Sequence, residues 1–182
     1  MKPHDPLKLD VERFATEQGR LAGDWPLGGM QRLVDACHAQ TPPVDADHVA
    51  WQAVGERRRP YAAAEPQAWL QLKLDADVKL TCQRCLAPVD TPLRVERWFQ
   101  FVAGEEQAAQ LDADSEVDVM ASTRSLDLHQ LAEDELLLAL PLVPRHGVCP
   151  QPLLPAGSPA PLPGEAPPHP FAALAAFKRA PH

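Results

Sequence analysis

A chain of 182 residues with a formal net charge of −8 has room for one ordinary domain with appendages. That acidity excludes a broad face for duplex nucleic acid, which is gripped through Lys and Arg, so any RNA contact has to come from a local basic patch, a tail or a partner. A hydrophobic fraction of 45% excludes wholesale disorder, no stretch reaches the roughly 18 apolar residues of a membrane span, and the opening residues lack the apolar core of a signal peptide.

In chain order, Asp10 is placed to cap a short helix carrying Val11 and Phe14. Leu21, Gly23 and Trp25 alternate as in a short strand that stops at Pro26. Met30, Leu33, Val34 and Cys37 fall on one helical stripe, which Pro42 and Pro43 close off. Val49, Trp51 and Ala53 alternate as a second strand. The clearest pattern follows: Leu70, Leu72, Leu74, Ala76, Val78, Leu80 and Cys82 point one way, and Gln71, Lys73, Asp75, Asp77, Lys79 and Thr81 the other. Period 2 held this long predicts a strand with one buried and one wet face. Leu93, Val95, Phe99 and Phe101 continue the pattern with Arg97 interrupting it, and Val117 and Val119 give a short further strand.

Strands with one wet face predict an antiparallel sheet rather than a doubly wound parallel one. Asp127 and Gln130 have the spacing of a capping box. Behind them Leu128, Leu131, Ala132, Leu136, Leu138 and Ala139 form an apolar stripe, with Glu133, Asp134 and Glu135 expected mostly outside; that helix should cover the dry face of the sheet and end at Pro141. Nine prolines between Pro150 and Pro170 forbid helix or ladder pairing and predict an extended linker. After it, Phe171, Leu174, Ala175 and Lys178 take helical spacing, as in a short docking peptide.

With no leader or membrane span in view, the chain is read as cytoplasmic, and its cysteines as reduced thiols or metal ligands. Cys82-Gln83-Arg84-Cys85 is a C-x-x-C where the strongest strand ends, and two thiolates so placed can share a metal ion. A tetrahedral site needs two more ligands, and His146 with Cys149 are the one concentrated source. A structural zinc held by Cys82, Cys85, His146 and Cys149 is one reading. Unliganded, buried thiols are another, since Cys82 fits the apolar face of its strand. A thioredoxin-like redox pair is the third, although that motif opens a helix and here a strand precedes it.

The run Arg57, Arg58 and Arg59, near Tyr61 and Trp51, is a candidate RNA grip with aromatics to stack on unpaired bases; the bland alternative is a solvated turn. Arg84 in the cysteine turn, with Arg94 and Arg97 on the next strand, is a second candidate patch, weighed against ordinary surface ion pairs. The acidic stretch from Glu105 to Asp118 has no calcium-loop spacing and reads as a solvated loop. No phosphate-binding, dinucleotide, zinc-protease or nucleophile-elbow motif occurs, and no catalytic residue is assigned.

Three separated stretches resemble the YceD family in their order: Leu80-Thr81-Cys82-Gln83-Arg84-Cys85-Leu86; the run from Asp134 to His146 followed by Cys149; and His169-Pro170-Phe171-Ala172-Ala173-Leu174-Ala175-Ala176-Phe177-Lys178-Arg179. The resemblance implies a role in the synthesis, processing or stability of 23S rRNA, with no catalytic activity of its own. Some members carry a second complete cysteine pair, whereas here Cys149 stands alone. His169 occupies a position where Asn is usual, and a Pro-rich linker replaces a more acidic tether.

The resulting expectation is an α+β domain at 1–149, an antiparallel sheet of four to six strands backed by helices. A disordered Pro-rich linker at 150–168 and a docking tail at 169–182 follow, the tail presenting Phe171, Leu174, Phe177, Lys178 and Arg179. Expected partners are precursor 23S rRNA or a pre-50S particle, or an rRNA processing or modifying enzyme, with no membrane. The rival expectation is an acidic interaction adaptor that never touches RNA.

Overall fold

The computed structural model describes residues 3–59 and 65–150. The expected docking tail, all of the linker after Pro150, and Tyr61 lie outside the described residues. The compact unit is Met1–Cys149.

Its elements run α1 (Val11–Thr16), β1 (Arg20–Pro26), a 3-10 turn (Leu27–Gly29), α2 (Gln31–Ala36), β2 (His48–Arg58), β3 (Gln67–Thr81), β4 (Pro88–Val102), α3 (Glu105–Asp112), β5 (Asp118–Ala121) and α4 (Leu128–Leu138). The strands form one sheet in chain order, β1-β2-β3-β4-β5. The first three pairings are antiparallel, as the alternation predicts. The last is parallel, which corrects the all-antiparallel expectation. The reason is the connection: a hairpin can only return antiparallel, whereas the chain leaves β4 through α3 and comes back in the same direction.

Period 2 sets the two faces. Register pairs Trp51 with Leu74 and Leu74 with Val95, so these side chains share the inner face. Leu70, Leu72, Ala76, Phe99 and Phe101 join them, and α1 and α4 cover this face with Phe14, Leu128, Ala132 and Leu136, all of them buried. The outer face is laced by charge pairs directly across the ladder: Lys73 with Glu96 at 3.0 Å, Arg94 with Asp75 at 2.7 Å, and Lys79 with Asp90 at 2.5 Å.

Both side-chain caps form. Asp10 accepts from the Arg13 N–H at 3.1 Å, and Asp127 accepts from the His129 and Gln130 N–H groups. Helix α2 stops at Ala36, before its proline signal, because the His38 N–H donates to the Lys79 carbonyl at 2.7 Å and pulls the chain onto the β3 edge. The acidic stretch is no simple loop, since Glu105–Asp112 is α3 and packs Ala108 against Val102 and Val119.

Helix α4 departs from its predicted stripe. Leu138 is exposed, whereas Glu133 and Glu135 are buried. Glu133 is turned inward as a remote cap for α2: Oε1 accepts from the Arg32 and Leu33 N–H groups at 2.7 and 3.3 Å. Its Oε2 accepts from Arg32 Nε and Nη2 at 3.0 and 2.7 Å. Burial raises the Glu133 pKa, but the Arg32 side chain and the two N–H groups outweigh it and hold the carboxyl below its ordinary range. Glu135 has no such set of donors. Arg97 Nε lies 3.4 Å from its Oε2, outside hydrogen-bond geometry, and burial pushes its pKa up.

Candidate metal centre

Strand β3 delivers Cys82 to the end of the sheet, and a tight turn brings Cys85 back. The Leu86 N–H donates to the Cys82 carbonyl and the Cys82 N–H to the Ala87 carbonyl, each at 2.9 Å. Leu86 takes the left-handed conformation, φ 60°, that closing this turn requires. His38 supports the turn from outside, with Nε2 3.3 Å from the Leu86 carbonyl and Nδ1 3.1 Å from the Thr41 hydroxyl.

The segment after α4 completes the site. The Gln83 N–H donates to the Pro144 carbonyl at 2.9 Å, which docks residues 144–149 against the cysteine turn. His146 Nε2 lies 3.0 Å from the Pro88 carbonyl. A carbonyl can only accept, so Nε2 is the donor there, and in the neutral ring Nδ1 is the nitrogen with the lone pair. That Nδ1 lies 3.4 Å from Cys85 Sγ. Fixing one ring nitrogen on a carbonyl is how proteins orient a histidine ligand.

The ligand atoms of Cys82, Cys85, His146 and Cys149 all lie within 4.8 Å of one another. A tetrahedron with metal–sulfur bonds of about 2.3 Å has edges of about 3.8 Å, so the set needs only slight contraction around an ion. Electrostatics agree. Burial by itself raises the Cys82 pKa, yet backbone N–H groups around Cys85, His146 and Arg84 and the His146 ring overcome it and bring it to about 5. Burial and the neighbouring sulfurs of Cys85 and Cys82 push Cys149 up instead. Three thiolates so close would repel one another, and a divalent cation removes that conflict. The donor set can therefore hold a metal ion. Cys37 stands apart at the C-cap of α2, half-buried, its thiol donating to the Leu33 carbonyl at 3.3 Å.

The arginine candidates are less concerted. Arg57 is engaged by Glu12 and the Pro66 carbonyl. Arg58 points to the outer sheet face, bonded to Glu56 at 2.8 Å, with its guanidinium carbon 3.6 Å from the centre of the Trp98 ring. Arg59 and Arg84 are exposed. Trp51, expected beside this run, is instead in the core, stacked on Trp25 with centroids 4.3 Å apart. Arg94 bonds Asp75 and approaches Asp77, and Arg97 reaches Glu135, so neither is a free cation in a patch.

Two residues that matter escaped the sequence reading. Trp69 and Trp98 sit on the outer face, and a signal existed: each occupies the wet phase of an alternation whose dry phase holds Leu70, Leu72 and Phe99.

A family model described as large ribosomal RNA subunit accumulation protein YceD matches residues 70–178, more than half of the chain. A curated protein of the same description, from Haemophilus influenzae (strain ATCC 51907 / DSM 11121 / KW20 / Rd), is 42% identical over 74 residues. Those residues are 41% of this chain and 42% of that protein, so the match spans less than half the length of that relative. No solved structure matches. The matched stretch takes in most of β3, the cysteine turn, β4, α4 and the candidate ligands His146 and Cys149, and on that extent the chain belongs to the YceD family.

Proposed function

We propose that this protein is a cytoplasmic, non-catalytic factor in bacterial ribosome biogenesis that promotes accumulation of large-subunit, 23S, ribosomal RNA. It acts by binding precursor rRNA within a pre-50S particle, or an enzyme that processes or modifies it. The single observation that carries this reading is the family match across residues 70–178. Two of the shifted groups have structural uses that support the non-catalytic part: Glu133 caps α2, and Cys82 belongs to the clustered candidate ligands.

Within this role the Cys82–Cys85–His146–Cys149 set is a structural zinc site. Four protein ligands leave no open position for substrate or water, which is the composition of a closed site. Zinc would supply a clasp between the end of β3 and the segment after α4. The tail residues Phe171, Leu174, Phe177, Lys178 and Arg179 are proposed as a docking peptide on sequence spacing alone.

The test is deletion of the gene in its own cells, followed by measurement of 23S relative to 16S rRNA. The expected result is a deficit of mature 23S that the full chain restores; an unchanged ratio during rapid growth would overturn the reading.

A further inference from the structure

We propose that the outer face of the sheet carries a stacking platform for unpaired RNA bases, built by Trp98, Trp69 and Arg58. The proposal rests on the reading above of a factor acting on rRNA and names the surface that touches it. The chain has four Trp; Trp25 and Trp51 belong to the core, whereas Trp69 and Trp98 stand on the polar face. Both are half-buried there, and large aromatics placed on a wet face are the informative case. Register sets Trp69 opposite Gln100 and Trp98 opposite Gln71, so the two indoles are diagonal neighbours across β3 and β4.

Arg58 lies over both, 3.6 Å from the Trp98 centroid and 5.2 Å from that of Trp69. Glu56 engages its Nε, at 2.8 Å, and among the described residues the two terminal amino groups have no hydrogen-bond partner and can meet a phosphate. Arg59 follows at once, exposed and without an ion pair among the described residues. Around the platform Gln71 donates to Glu96 and Gln100 to Gln67, each at 2.6 Å, so base edges would have to exchange for these bonds.

Single-stranded RNA is favoured over duplex because stacking faces are reachable only on unpaired bases. The acidity of the chain argues the same way. With Arg58 and Arg59 as the phosphate contacts, log affinity should fall with log salt at a slope of only about −1.4.

The test is fluorescence anisotropy of labelled ten-nucleotide oligouridylate and oligoadenylate, with a twelve-base-pair RNA duplex as comparator, using the full chain. The wild type should bind the single strands at least tenfold more tightly than the duplex. Trp98→Ala should weaken binding roughly tenfold or more, Trp98→Phe should retain most of it, and Arg58→Gln should cost severalfold. Lys79→Gln, on the same face at the far end of the sheet, should change nothing. Thermal melts of each variant identify any loss caused by unfolding, and Trp98→Phe then decides. The platform is overturned if folded Trp98→Ala binds like wild type, if duplex and single strand bind alike, or if no RNA binds. A parallel readout separates this failure from failure of the broader role. If deletion cells regain 23S rRNA with Trp98→Ala as fully as with wild type, the platform falls and the role stands. If deletion itself leaves 23S unchanged, the role falls too.

Discussion

Glu133→Ala is the substitution whose cost can be worked most fully from the structure. It removes the acceptor of two α2 N–H groups and the partner of Arg32. Loss of a cap costs about 1 kcal/mol. Leu33 is fully buried, and leaving its N–H without an acceptor adds about 1 kcal/mol. Arg32 is half-exposed and rehydrates, so its ion pair adds only about 0.5 kcal/mol. The sum is about 2–3 kcal/mol, or a melting temperature lower by about 5–10 °C for a domain of this size. The assay is a thermal melt at neutral pH, repeated in acid. Because the folded pKa of Glu133 is depressed, its stabilisation is present above the ordinary glutamate value of 4.5 and is lost as pH falls through the folded value. The gap between wild type and Glu133→Ala should therefore close in acid. Asp134→Asn, which loses only an exposed contact to Arg32, should cost about 0.5 kcal/mol or less. Equal losses from Glu133→Ala and Asp134→Asn, or a gap independent of pH, would refute the reasoning.

Other changes test other parts of the molecule. Glu135→Gln should leave stability at or above wild type at neutral pH, by about 1 kcal/mol at most, because a buried carboxylate without a good donor is a cost. The sign is opposite to that of Glu133. A raised folded pKa means wild-type stability falls as pH rises through it, so the advantage of Glu135→Gln should vanish in acid; a clear loss of stability at pH 7 would count against this. For the clasp, elemental analysis should find stoichiometric zinc in the wild type and little in Cys82→Ser or Cys149→Ser, and a strong chelator should lower the melting temperature. Metal-free protein that melts identically with chelator would remove the site. Gly55→Ala should lose about 2–3 kcal/mol in denaturant titration. Its Cβ would lie 2.6 Å from Phe14 Cδ1 and 2.8 Å from the Phe14 carbonyl oxygen, and backbone cannot rotate aside.

Much of the sheet was legible because period 2 is a local signal. Leu70 to Cys82 announces both its strand and its buried face, and Asp10 and Asp127 announce their helices by chemistry that acts within one turn. What escaped depends on distant partners. Glu133 looks like one of three surface acids until α2 arrives to use it. Helix α3 buries Ala108 alone, too little apolar surface to leave a stripe, and the parallel β5 follows from that unseen crossover. The candidate metal ligands were the exception, since two loose pairs were nameable from spacing, but their convergence needed the Gln83–Pro144 and His146–Pro88 bonds. The arginine run was readable as charge and not as direction, because strand alternation sends Arg57 towards Glu12 and Arg58 onto Trp98.

The clasp also has a timing. Cys149 comes 64 positions after Cys85, behind every strand and helix of the compact unit. At about 5–20 residues per second, a ribosome making this chain would expose the first two sulfurs several seconds before it releases the last one. During that interval the turn can offer an ion only half a coordination shell. Full capture waits for Cys149 and for β4 and α4 to deliver His146 beside it. If the site holds zinc as proposed, its uptake would be the closing event of the domain's synthesis, and a nascent chain halted before Cys149 should exchange zinc freely while the finished one retains it.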